Sequence, residues 1–344
     1  MKLNVALIGA GGIAHPHAQA LLANEHVASL AIAEPQAEVR EAFAQRYGLQ
    51  RAVADYRELL ADPAIDLVDL CLPHDLHCPV ALEAFAAGKH VISEKPLART
   101  VEECEAMIEA AEKAGRRLFV SHNQLFFPAV RRAKEMLEAG VLGRPFLALI
   151  NIIGNEFGRM NDPTHWKGSW DRAGGGVTID TGIHALYLLE HFFGEVEAVT
   201  AVLRRLVVEP DNKADDNAAL TLEFKGGVLA NIVLTYTALA HPWEERRHLY
   251  GTEGSLHLAD VEPYLQHTRG TATEVIPVAS PPHLHPWSIG QSLNHLLDCL
   301  AHDREPLITA EQGRSAVRLA QAAYHSSREG RRVVLRQLGN PHQC

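Results

Sequence analysis

The first candidate for chemistry is Lys95, in the run Glu94-Lys95-Pro96 that follows the apolar stretch Val91-Ile92. A lysine at the carboxyl end of a buried strand brings a positive charge to the edge of a sheet where open α/β folds bind their ligands. Such an ammonium group can polarise a hydroxyl or carbonyl oxygen and stabilise an alkoxide that develops there. We therefore take Lys95 as the first catalytic candidate.

A second pair of candidates, Asp180 and His184, follows the glycine run 174–176. If the chain is helical from residue 177 onward, the two side chains lie on one face, one turn apart. A histidine beside a carboxylate can act as a general acid/base. The same residues could instead be a hydrogen-bonded core histidine and a helix cap, and the segment alone leaves both interpretations open.

A glycine-rich turn stands near the start of the chain, in the run Gly9-Ala10-Gly11-Gly12-Ile13-Ala14. It fits the pattern G-x-G-x-x-G/A in the required context, after a predicted strand and before a predicted helix. Gly9 allows the tight turn, Gly11 lets backbone amides approach a pyrophosphate, and the small Ala14 permits close packing of helix on strand. The sequence therefore predicts a dinucleotide-binding turn, with contacts from Gly9, Gly11, Gly12 and Ile13.

Glu34 ends the second apolar run, about 20 residues beyond the turn, where an acidic side chain accepts hydrogen bonds from the adenosine ribose. A carboxylate there repels a 2′-phosphate, so we expect NAD rather than NADP. NADP stays open because Arg40 could swing in from the next helix. Taken alone, Glu34 could also be a solvated acid at a helix start.

The elements that position these residues are predicted from the alternation of apolar and amphipathic segments in residues 1–122. Short apolar runs occur at 5–8, 30–33, 67–70, 90–92 and 118–120. This β-α-β-α order is typical of a doubly wound parallel sheet. Thr100 with Glu103 predicts a helix start and Gly115 a helix end. We therefore predict a Rossmann domain over residues 1–122.

The pattern changes from residue 123 onward. A helix of about a dozen residues is expected after Pro128, ending at Gly140. Alternating strands at 220–224 and 229–234 flank Lys225-Gly226-Gly227 and predict an antiparallel hairpin. A late helix near 314–327 and a short strand at 333–335 close the chain. The predicted fold class is α/β, with an N-terminal Rossmann domain and a C-terminal α+β domain, 123–344, that carries a large, mostly antiparallel sheet.

Composition narrows the class of partner. The 344 residues include 42 acidic against 32 basic side chains, a net charge of −10, and no basic cluster suited to nucleic acid. No apolar run is long enough to span a bilayer, and residues 1–8 leave no room for a signal peptide. We expect a cytoplasmic protein that binds neither nucleic acid nor membrane. We also expect a homo-dimer or homo-tetramer formed through the exposed face of the C-terminal sheet.

Cysteines and paired histidines were weighed as other sites. The cysteines are odd in number and widely spread, which favours free thiols in a reducing compartment: Cys71, Cys78, Cys104, Cys299 and Cys344. Three histidine pairs suggest metal hypotheses: His15 with His17, His74 with His77, and His283 with His285. A tetrahedral site at the second pair would distort the cofactor loop. We predict no metal site at any of them, and we expect His77 to lie at a helix start beside the cofactor.

Several motifs together resemble the family named for glucose-fructose oxidoreductase, inositol dehydrogenase and MocA (Gfo/Idh/MocA), and the resemblance runs nearly from end to end. The motifs that carry it are Gly9 to Ala14, Leu72-Pro73 with His77, Gly88-Lys89-His90-Val91 leading into Glu94-Lys95-Pro96, Gly174-Gly175-Gly176 with Asp180 and His184, and Gly251-Thr252-Glu253-Gly254-Ser255. The resemblance implies that Lys95 lies between nicotinamide and substrate, that His184 exchanges the proton and that Asp180 orients the substrate. It also implies cofactor contacts from Pro73, His74, Glu94, Asn123, Trp166 and Lys167.

Two departures from that family bear on the substrate. Many relatives carry an acidic residue three positions after the histidine, where this chain has Tyr187. Lys167 stands where many relatives have arginine, and it lacks the planar fork of a guanidinium group.

The resulting expectation is an NAD-dependent oxidoreductase that transfers a hydride between nicotinamide and a sugar, cyclic polyol or related hydroxylated compound. Lys95 and His184, distant in the sequence, must then meet over the same nicotinamide ring. Two alternatives share the fold and cofactor: an NAD-dependent glycosidase without net redox change, and a non-catalytic dinucleotide-sensing regulator.

Overall fold

The computed structural model describes residues 2–209, 213–259 and 264–337. Its strands, in chain order, are β1 (Leu3–Ile8), β2 (Val27–Ala33), β3 (Ala52–Val53), β4 (Leu67–Leu70), β5 (His90–Glu94), β6 (Leu118–Ser121), β7 (Pro145–Ile153), β8 (Val196–Arg204), β9 (Asn217–Phe224), β10 (Leu229–Thr235), β11 (Glu244–Gly251), β12 (Ser255–Ala259), β13 (Tyr264–Arg269), β14 (Ala272–Ile276) and β15 (Val333–Val334).

The α-helices are α1 (Ala14–Ala23), α2 (Ala37–Tyr47), α3 (Arg57–Leu60), α4 (His74–Ala86), α5 (Val101–Ala114), α6 (Pro128–Glu138), α7 (Phe157–Met160), α8 (Trp170–Ala173), α9 (Val177–Asp180), α10 (Gly182–Phe193), α11 (Leu284–Ala301) and α12 (Ala310–Glu329). Short 3₁₀ helices cover Asn123–Phe126, Trp166–Gly168 and Leu335–Gln337.

The chain divides into two compact units. The first contains the residues up to Asn123 together with His285–Arg314, and the second contains Gln124–Leu284 and the residues from Ser315 onward. The division predicted from sequence placed residues 285–314 in the second domain. The structure groups them with the first unit because α11 buries Ile289, Leu293 and Leu297 in the same apolar cluster as β1 and α1.

The first unit is built on a six-stranded parallel sheet in the order β3-β2-β1-β4-β5-β6. This confirms the predicted doubly wound sheet. β3 has only two residues and was not predicted, because so short a run carries no periodicity. The strand order reverses between β1 and β4, which is where sheets of this type bind ligands at their carboxyl edge.

The predicted ends of α5 are confirmed. The Thr100 hydroxyl accepts a hydrogen bond from the Glu103 amide at 3.2 Å, and Gly115 ends the helix at φ 61°. The Glu103 carboxylate accepts from the Arg99 amide at 3.0 Å, one residue earlier than in a standard capping box.

The second unit is built on a nine-stranded sheet in the order β14-β13-β12-β11-β7-β10-β9-β8-β15. Every neighbouring pair is antiparallel except β7 and β10, which run parallel, so the mostly antiparallel sheet is confirmed. The hairpin of β9 and β10 is also confirmed, as is α6, which is followed by Gly140 at φ 72°. Side chains alternate between buried and exposed along β8 and β10, and α10 packs on β10.

The last predicted elements are present with shifted ends. The late helix predicted for 314–327 is present as the longer α12. Of the predicted final strand, only Val333 and Val334 pair with β8. Cys71, Cys78, Cys104 and Cys299 are buried free thiols, while Cys344 lies outside the described residues. Among the helices of the described ranges, we find none with the length and apolar character needed to cross a bilayer.

Candidate active site

The glycine turn connects β1 to α1 and has the geometry of a phosphate cradle. Gly9 adopts φ 94°, and a Cβ there would come within 2.3 Å of the Cys71 carbonyl oxygen, so no other residue fits. Gly11 and Gly12 are exposed, and no atom lies within 4 Å of the Cβ positions they lack. The start of α1 therefore presents backbone amides beside open space, which suits the pyrophosphate of a dinucleotide.

Glu34 follows β2 and reaches the glycine turn. Its carboxylate accepts hydrogen bonds from the Ala10 amide at 3.1 Å and the Gln36 amide at 3.0 Å, and the residue is 8% exposed. It is thus a buried acid beside the turn rather than a solvated one. Arg40 lies close to it, because its guanidinium group donates to the Glu34 carbonyl at 2.8 Å. Both groups weighed for coenzyme choice therefore meet at the end of β2.

The predicted cofactor contacts of the first unit share one location, the carboxyl edge of its parallel sheet. Pro73 and His74 follow β4 and begin α4, Glu94 ends β5, and Asn123 follows β6. His74 and Asn123 are buried, and the Asn123 amide donates to the Ser288 hydroxyl at 2.9 Å. Because the carboxyl ends of parallel strands meet at one edge, the fold gathers these residues on the side that binds ligands.

A buried ionic cluster lies directly beneath this edge. His17, on α1, contacts the Asp69 carboxylate through Nδ1 at 2.8 Å and the Glu94 carboxylate through Nε2 at 3.0 Å. Burial by itself lowers the pKa of His17, but the Asp69 carboxylate outweighs burial and raises this pKa well above 6.5. Glu94 in turn accepts a hydrogen bond from the Lys95 amide at 3.1 Å. The cluster therefore holds the backbone that carries Lys95, whose side chain is half-buried.

His77 is completely buried and connects two segments of the first unit. Its Nδ1 faces the Pro96 carbonyl oxygen at 2.9 Å and its Nε2 faces the Leu72 carbonyl oxygen at 3.0 Å. Burial lowers the pKa of His77. The ring therefore joins the segment after β4 to the segment after β5, and its predicted contact with the cofactor stays a prediction.

The histidine pairs weighed as metal sites can be compared with the clusters of ligand-type side chains in the described residues. Two groups of described residues bring three ligand-type side chains within 4.8 Å of one another: His17 with Asp69 and Cys71, and His26 with Asp298 and His302. In the first group both histidine nitrogens already contact carboxylates. Burial also raises the pKa of the Cys71 thiol to about 12, which keeps it protonated. The prediction of no metal centre stays a prediction.

In the second unit, the partly exposed Lys167 forms an ion pair at 2.7 Å with the buried Asp180. Tyr236, at the end of β10, donates to the same Asp180 oxygen at 2.7 Å, and Glu156 lies 3.4 Å from the Lys167 ammonium group. Burial lowers the pKa of Lys167, but the charges of Asp180 and Glu156 outweigh it and raise this pKa. Burial and Asp180 raise the pKa of Tyr236 well above 10. Asp180 is therefore held by a cation and a phenol.

The segment carrying Asp180 and His184 differs from the continuous helix predicted from residue 177. It forms α9 and α10 with Thr181 between them, and the His184 amide bonds to the Thr181 carbonyl at 3.0 Å in place of a full helical turn. Thr181 is held by a short hydrogen bond to the Tyr236 hydroxyl. Asp180 is the last residue of α9, and Gly176 is the residue that precedes this helix.

The preceding glycine run has a packing explanation. A Cβ on Gly175 would lie 1.9 Å from the Tyr324 hydroxyl, and one on Gly176 would lie 1.9 Å from the Asp215 carbonyl oxygen. Asp215 accepts from the amides of Gly176 at 2.8 Å and Thr178 at 3.0 Å. These glycines bring α9 close to the protein's own Asp215 and Tyr324.

His184 is buried and has a partner that sequence reasoning did not identify. Its Nδ1 lies 2.7 Å from the Tyr187 hydroxyl, one turn further along α10.

Trp166 adjoins Lys167, whose ammonium nitrogen is 5.8 Å from the Trp166 ring and 5.5 Å from the Tyr236 ring. Tyr236 was missed because no local motif marks it; its only signal is a tyrosine that ends an alternating strand.

Comparison with known proteins agrees with this architecture. Residues 3–122 match the model of the Gfo/Idh/MocA oxidoreductase family with an NAD-binding Rossmann fold, and residues 134–335 match the C-terminal alpha/beta domain of the same family. The chain therefore belongs to the Gfo/Idh/MocA oxidoreductase family. The glycine turn and Glu34 fit the NAD that this family binds.

Several relatives have established names. The chain is 31% identical over 284 residues to levoglucosan dehydrogenase of Pseudarthrobacter phenanthrenivorans, covering 74% of this chain and 73% of that one. It is 27% identical over 345 residues to myo-inositol 2-dehydrogenase of Thermotoga maritima, covering 98% and 99%. Among solved structures, levoglucosan dehydrogenase in complex with NADH and levoglucosan superposes with a TM-score of 0.89 at 26% identity, covering 98% and 100%.

Proposed function

We propose that this oxidoreductase is an NAD-dependent dehydrogenase or reductase acting on a sugar, a cyclic polyol or a related hydroxylated compound. The observation that carries the proposal is the hydrogen-bonded group of Lys167, Asp180 and Tyr236, together with a hydrogen-bonded His184 on the helix that follows Asp180. A charged carboxylate and an oriented imidazole are the groups needed to bind a hydroxyl and to exchange its proton. Relatives named as levoglucosan and myo-inositol dehydrogenases support this substrate class.

Each catalytic candidate is assigned one role. Bound NAD supplies the hydride acceptor, or the donor in the reverse direction. Lys95 stabilises negative charge on the substrate oxygen, and His184 takes the hydroxyl proton on oxidation and returns it on reduction. Asp180 orients the substrate hydroxyl. Trp166, Lys167, Pro73, His74, His77 and Asn123 are proposed to line the positions of substrate or coenzyme.

The test is a panel of anhydrosugars, aldoses and inositols assayed for NADH formation, with wild type, Lys95→Met and His184→Asn. We expect each variant to lose about 100- to 10,000-fold in turnover on the substrate that the wild type uses. NADH affinity, followed by fluorescence, should change little. The matched controls are the exposed Lys113→Met and His241→Asn. Normal turnover in either active-site variant would refute its assigned role.

The same panel separates the two alternative functions. An NAD-dependent glycosidase would release a hydrolysed sugar without net NADH. A regulator would bind NADH and turn over no member of the panel. The presence of Lys95, Asp180 and His184 favours catalysis, because a sensor has no chemical need for them.

We also propose that a second copy of the chain covers the open face of the nine-stranded sheet, giving a homo-dimer or homo-tetramer. Val202, Ala219 and Val233 lie directly opposite one another across β8, β9 and β10 on that face, with Val202 52% and Val233 45% exposed. An apolar row of this kind is typical of a subunit interface. Sedimentation should show an oligomer that Val233→Lys weakens; a wild-type monomer at micromolar concentration would refute the proposal.

The proposed compartment is the cytoplasm. Its support is the four buried free thiols at Cys71, Cys78, Cys104 and Cys299, which suit a reducing environment. Fractionation of the source cells with an antibody would test it, and recovery outside the cytoplasmic fraction would contradict it.

A further inference from the structure

The pair His184 and Tyr187 has a geometry that the general assignment of an acid/base histidine does not explain. The Tyr187 hydroxyl lies 2.7 Å from Nδ1 of His184, and the two rings meet edge to face. Tyr187 is 1% exposed and His184 9% exposed. A hydrogen bond at this distance between two buried rings on one helix fixes the imidazole in one orientation.

The tyrosine itself is anchored from another element. The Gln124 amide donates to the Tyr187 hydroxyl oxygen at 3.2 Å. The Gln124 side chain is held in turn, because its amide nitrogen donates to Glu245 at 3.0 Å and its oxygen accepts from Arg247 at 2.6 Å. Gln124 and Arg247 are completely buried. The phenol oxygen therefore occupies a defined position in the core of the second unit.

We propose that Tyr187 is the positioning residue of His184: it engages Nδ1 and so makes Nε2 the atom that exchanges a proton with the substrate hydroxyl. The proposal rests on the proposed function above and deepens it. In oxidation the substrate O–H bond breaks and its proton forms an N–H bond at Nε2. Nδ1 keeps its own proton and donates it to the phenol oxygen. In reduction the Nε2 proton returns to the substrate oxygen.

The chemistry of a phenol differs here from that of a carboxylate. A carboxylate only accepts hydrogen bonds, so it would hold the proton on Nδ1 and favour the charged imidazolium. A hydroxyl can both accept and donate, so Tyr187 can pair with either neutral tautomer of the imidazole. Tyr187 therefore orients the ring without adding a negative charge that would retain the proton on it.

Two variants test this role in the full-length protein. Tyr187→Phe removes the oxygen and keeps the ring, and we expect kcat to fall about 10- to 100-fold with KM nearly unchanged. Tyr187→Asp introduces a carboxylate, and we expect the acid limb of the kcat/KM profile for oxidation to move to higher pH by about one unit. Tyr250→Phe, on β11, is the matched control and should behave as wild type in both measurements.

The charged and titratable groups linked to this part of the chain are the same in all variants, so a change in the pH profile reports the pair. Asp180, which precedes α10, bonds to Lys167 and Tyr236, and Glu245 and Arg247 bond to the Gln124 side chain, whose backbone amide bonds to Tyr187. A purely structural role for Tyr187 would lower the amount of active protein without moving the limb. NADH binding by fluorescence reports that the first unit is folded, and near-ultraviolet circular dichroism, which also needs no turnover, reports that the second unit is folded in each variant.

The outcomes separate this proposal from the proposed function. If the wild type reduces NAD with no member of the panel, the proposed function fails. If the wild type is active and His184→Asn is not, then wild-type kcat in Tyr187→Phe overturns the positioning role. An unmoved acid limb in Tyr187→Asp overturns it as well. Should Tyr187→Phe fail to fold, the limb in Tyr187→Asp decides.

Discussion

The two units each bury a histidine among polar side chains, and the partners of the two imidazoles differ. In the first unit, His17 has both ring nitrogens on carboxylates, those of Asp69 and Glu94. In the second unit, His184 has Nδ1 on the neutral hydroxyl of Tyr187. Opposite charges at both ends stabilise the protonated imidazole of His17, whereas the phenol hydroxyl adds no charge to the imidazole of His184.

Both histidines are buried, so their partners, and not burial, distinguish them. The carboxylates beside His17 come from neighbouring parallel strands, β4 and β5, so the charge cluster ties the sheet to α1. In the second unit, Lys167 and Asp180 pair with each other, and Asp180 lies at the end of the helix that precedes α10, which carries His184. Variants in the two clusters should therefore affect different properties, stability in the first unit and turnover in the second.

The largest expected effect lies in the second unit. Asp180→Asn keeps the shape but removes the charge that Lys167 and Tyr236 bind, and we expect turnover to fall about 100- to 1,000-fold. Steady-state assays on the substrate identified by the panel measure this loss. Glu156→Gln is the matched control and should cost less than about tenfold, because Lys167 keeps Asp180 as its partner. Wild-type turnover in Asp180→Asn would contradict the expectation that the charged cluster of the second unit affects turnover.

The next effect lies in the first unit. His17→Gln leaves Asp69 and Glu94 buried without a cation, and we expect a loss of about 3–5 kcal/mol in the free energy of unfolding. Because the folded-state pKa of His17 is raised, its contribution is complete below about pH 6.5 and is lost as pH rises through the raised value. Urea unfolding from pH 6 to pH 9 should show this slope in the wild type only.

The control for this prediction is His15→Gln on the same helix, where the ring is partly exposed and bonds to the Tyr47 hydroxyl at 2.9 Å. It should cost less than about 1.5 kcal/mol. Equal losses in the two variants would show that the carboxylate cluster adds nothing to stability.

A smaller effect concerns Glu190, a carboxyl group of the second unit that we expect to affect stability rather than turnover. Burial raises the pKa of Glu190 to about 7, while its carboxylate accepts from the Ser315 hydroxyl at 2.7 Å. The folded chain therefore holds a proton that the unfolded chain has released, so stability falls as pH rises from about 4.5 to 7. Glu190→Gln should gain about 1–2 kcal/mol at pH 8 and nothing at pH 4.

Thermal melting at the two pH values measures this gain. Exposed Glu135→Gln on α6 is the control and should shift stability by less than about 0.5 kcal/mol at either pH. A Glu190→Gln variant with the same advantage at pH 4 as at pH 8 would contradict the titration of the buried carboxyl group.

The smallest expected effect concerns coenzyme choice in the first unit. Glu34→Gln removes the negative charge beside the glycine turn while keeping an oxygen for the Ala10 amide. We expect NADH affinity to fall about tenfold and NADPH affinity to rise, because the repulsion of a 2′-phosphate is lost. Fluorescence titration with both coenzymes measures the change, and the exposed Glu38→Gln is the control. Unchanged discrimination would remove Glu34 as the selecting group.

Much of the fold could be predicted because its signals are local. The caps of α5, the glycine turn before α1 and the alternation in β9 and β10 each lie within a few residues of one another, and all three are confirmed. The grouping of α11 with the first unit could not be predicted, since it depends on apolar contacts with strands nearly 300 residues away. The break at Thr181 was also missed; Thr181 bonds there to Tyr236, which lies 55 residues further along the chain.

The site was predictable only in part. Lys95, Asp180 and His184 could be proposed as candidates because each belongs to a short motif. The long-range contacts could not be predicted, because Asp180 is separated from Tyr236 by 56 residues, and Tyr187 is separated by 63 from the Gln124 that anchors it. No periodicity relates residues at such separations, so only the register of β10 and the placement of α10 bring them together.

The amino-acid sequence by itself determined the order of strands and helices, the dinucleotide turn and the types of the reactive side chains, because these follow from short-range backbone sterics and apolar spacing. The tertiary structure alone decided that two carboxylates meet the His17 imidazole and that Tyr236 meets Asp180, because these contacts join residues 52 to 77 positions apart. The Tyr187 hydroxyl lies one turn from His184 on the same helix, but its anchoring by the Gln124 amide is again a product of long-range packing.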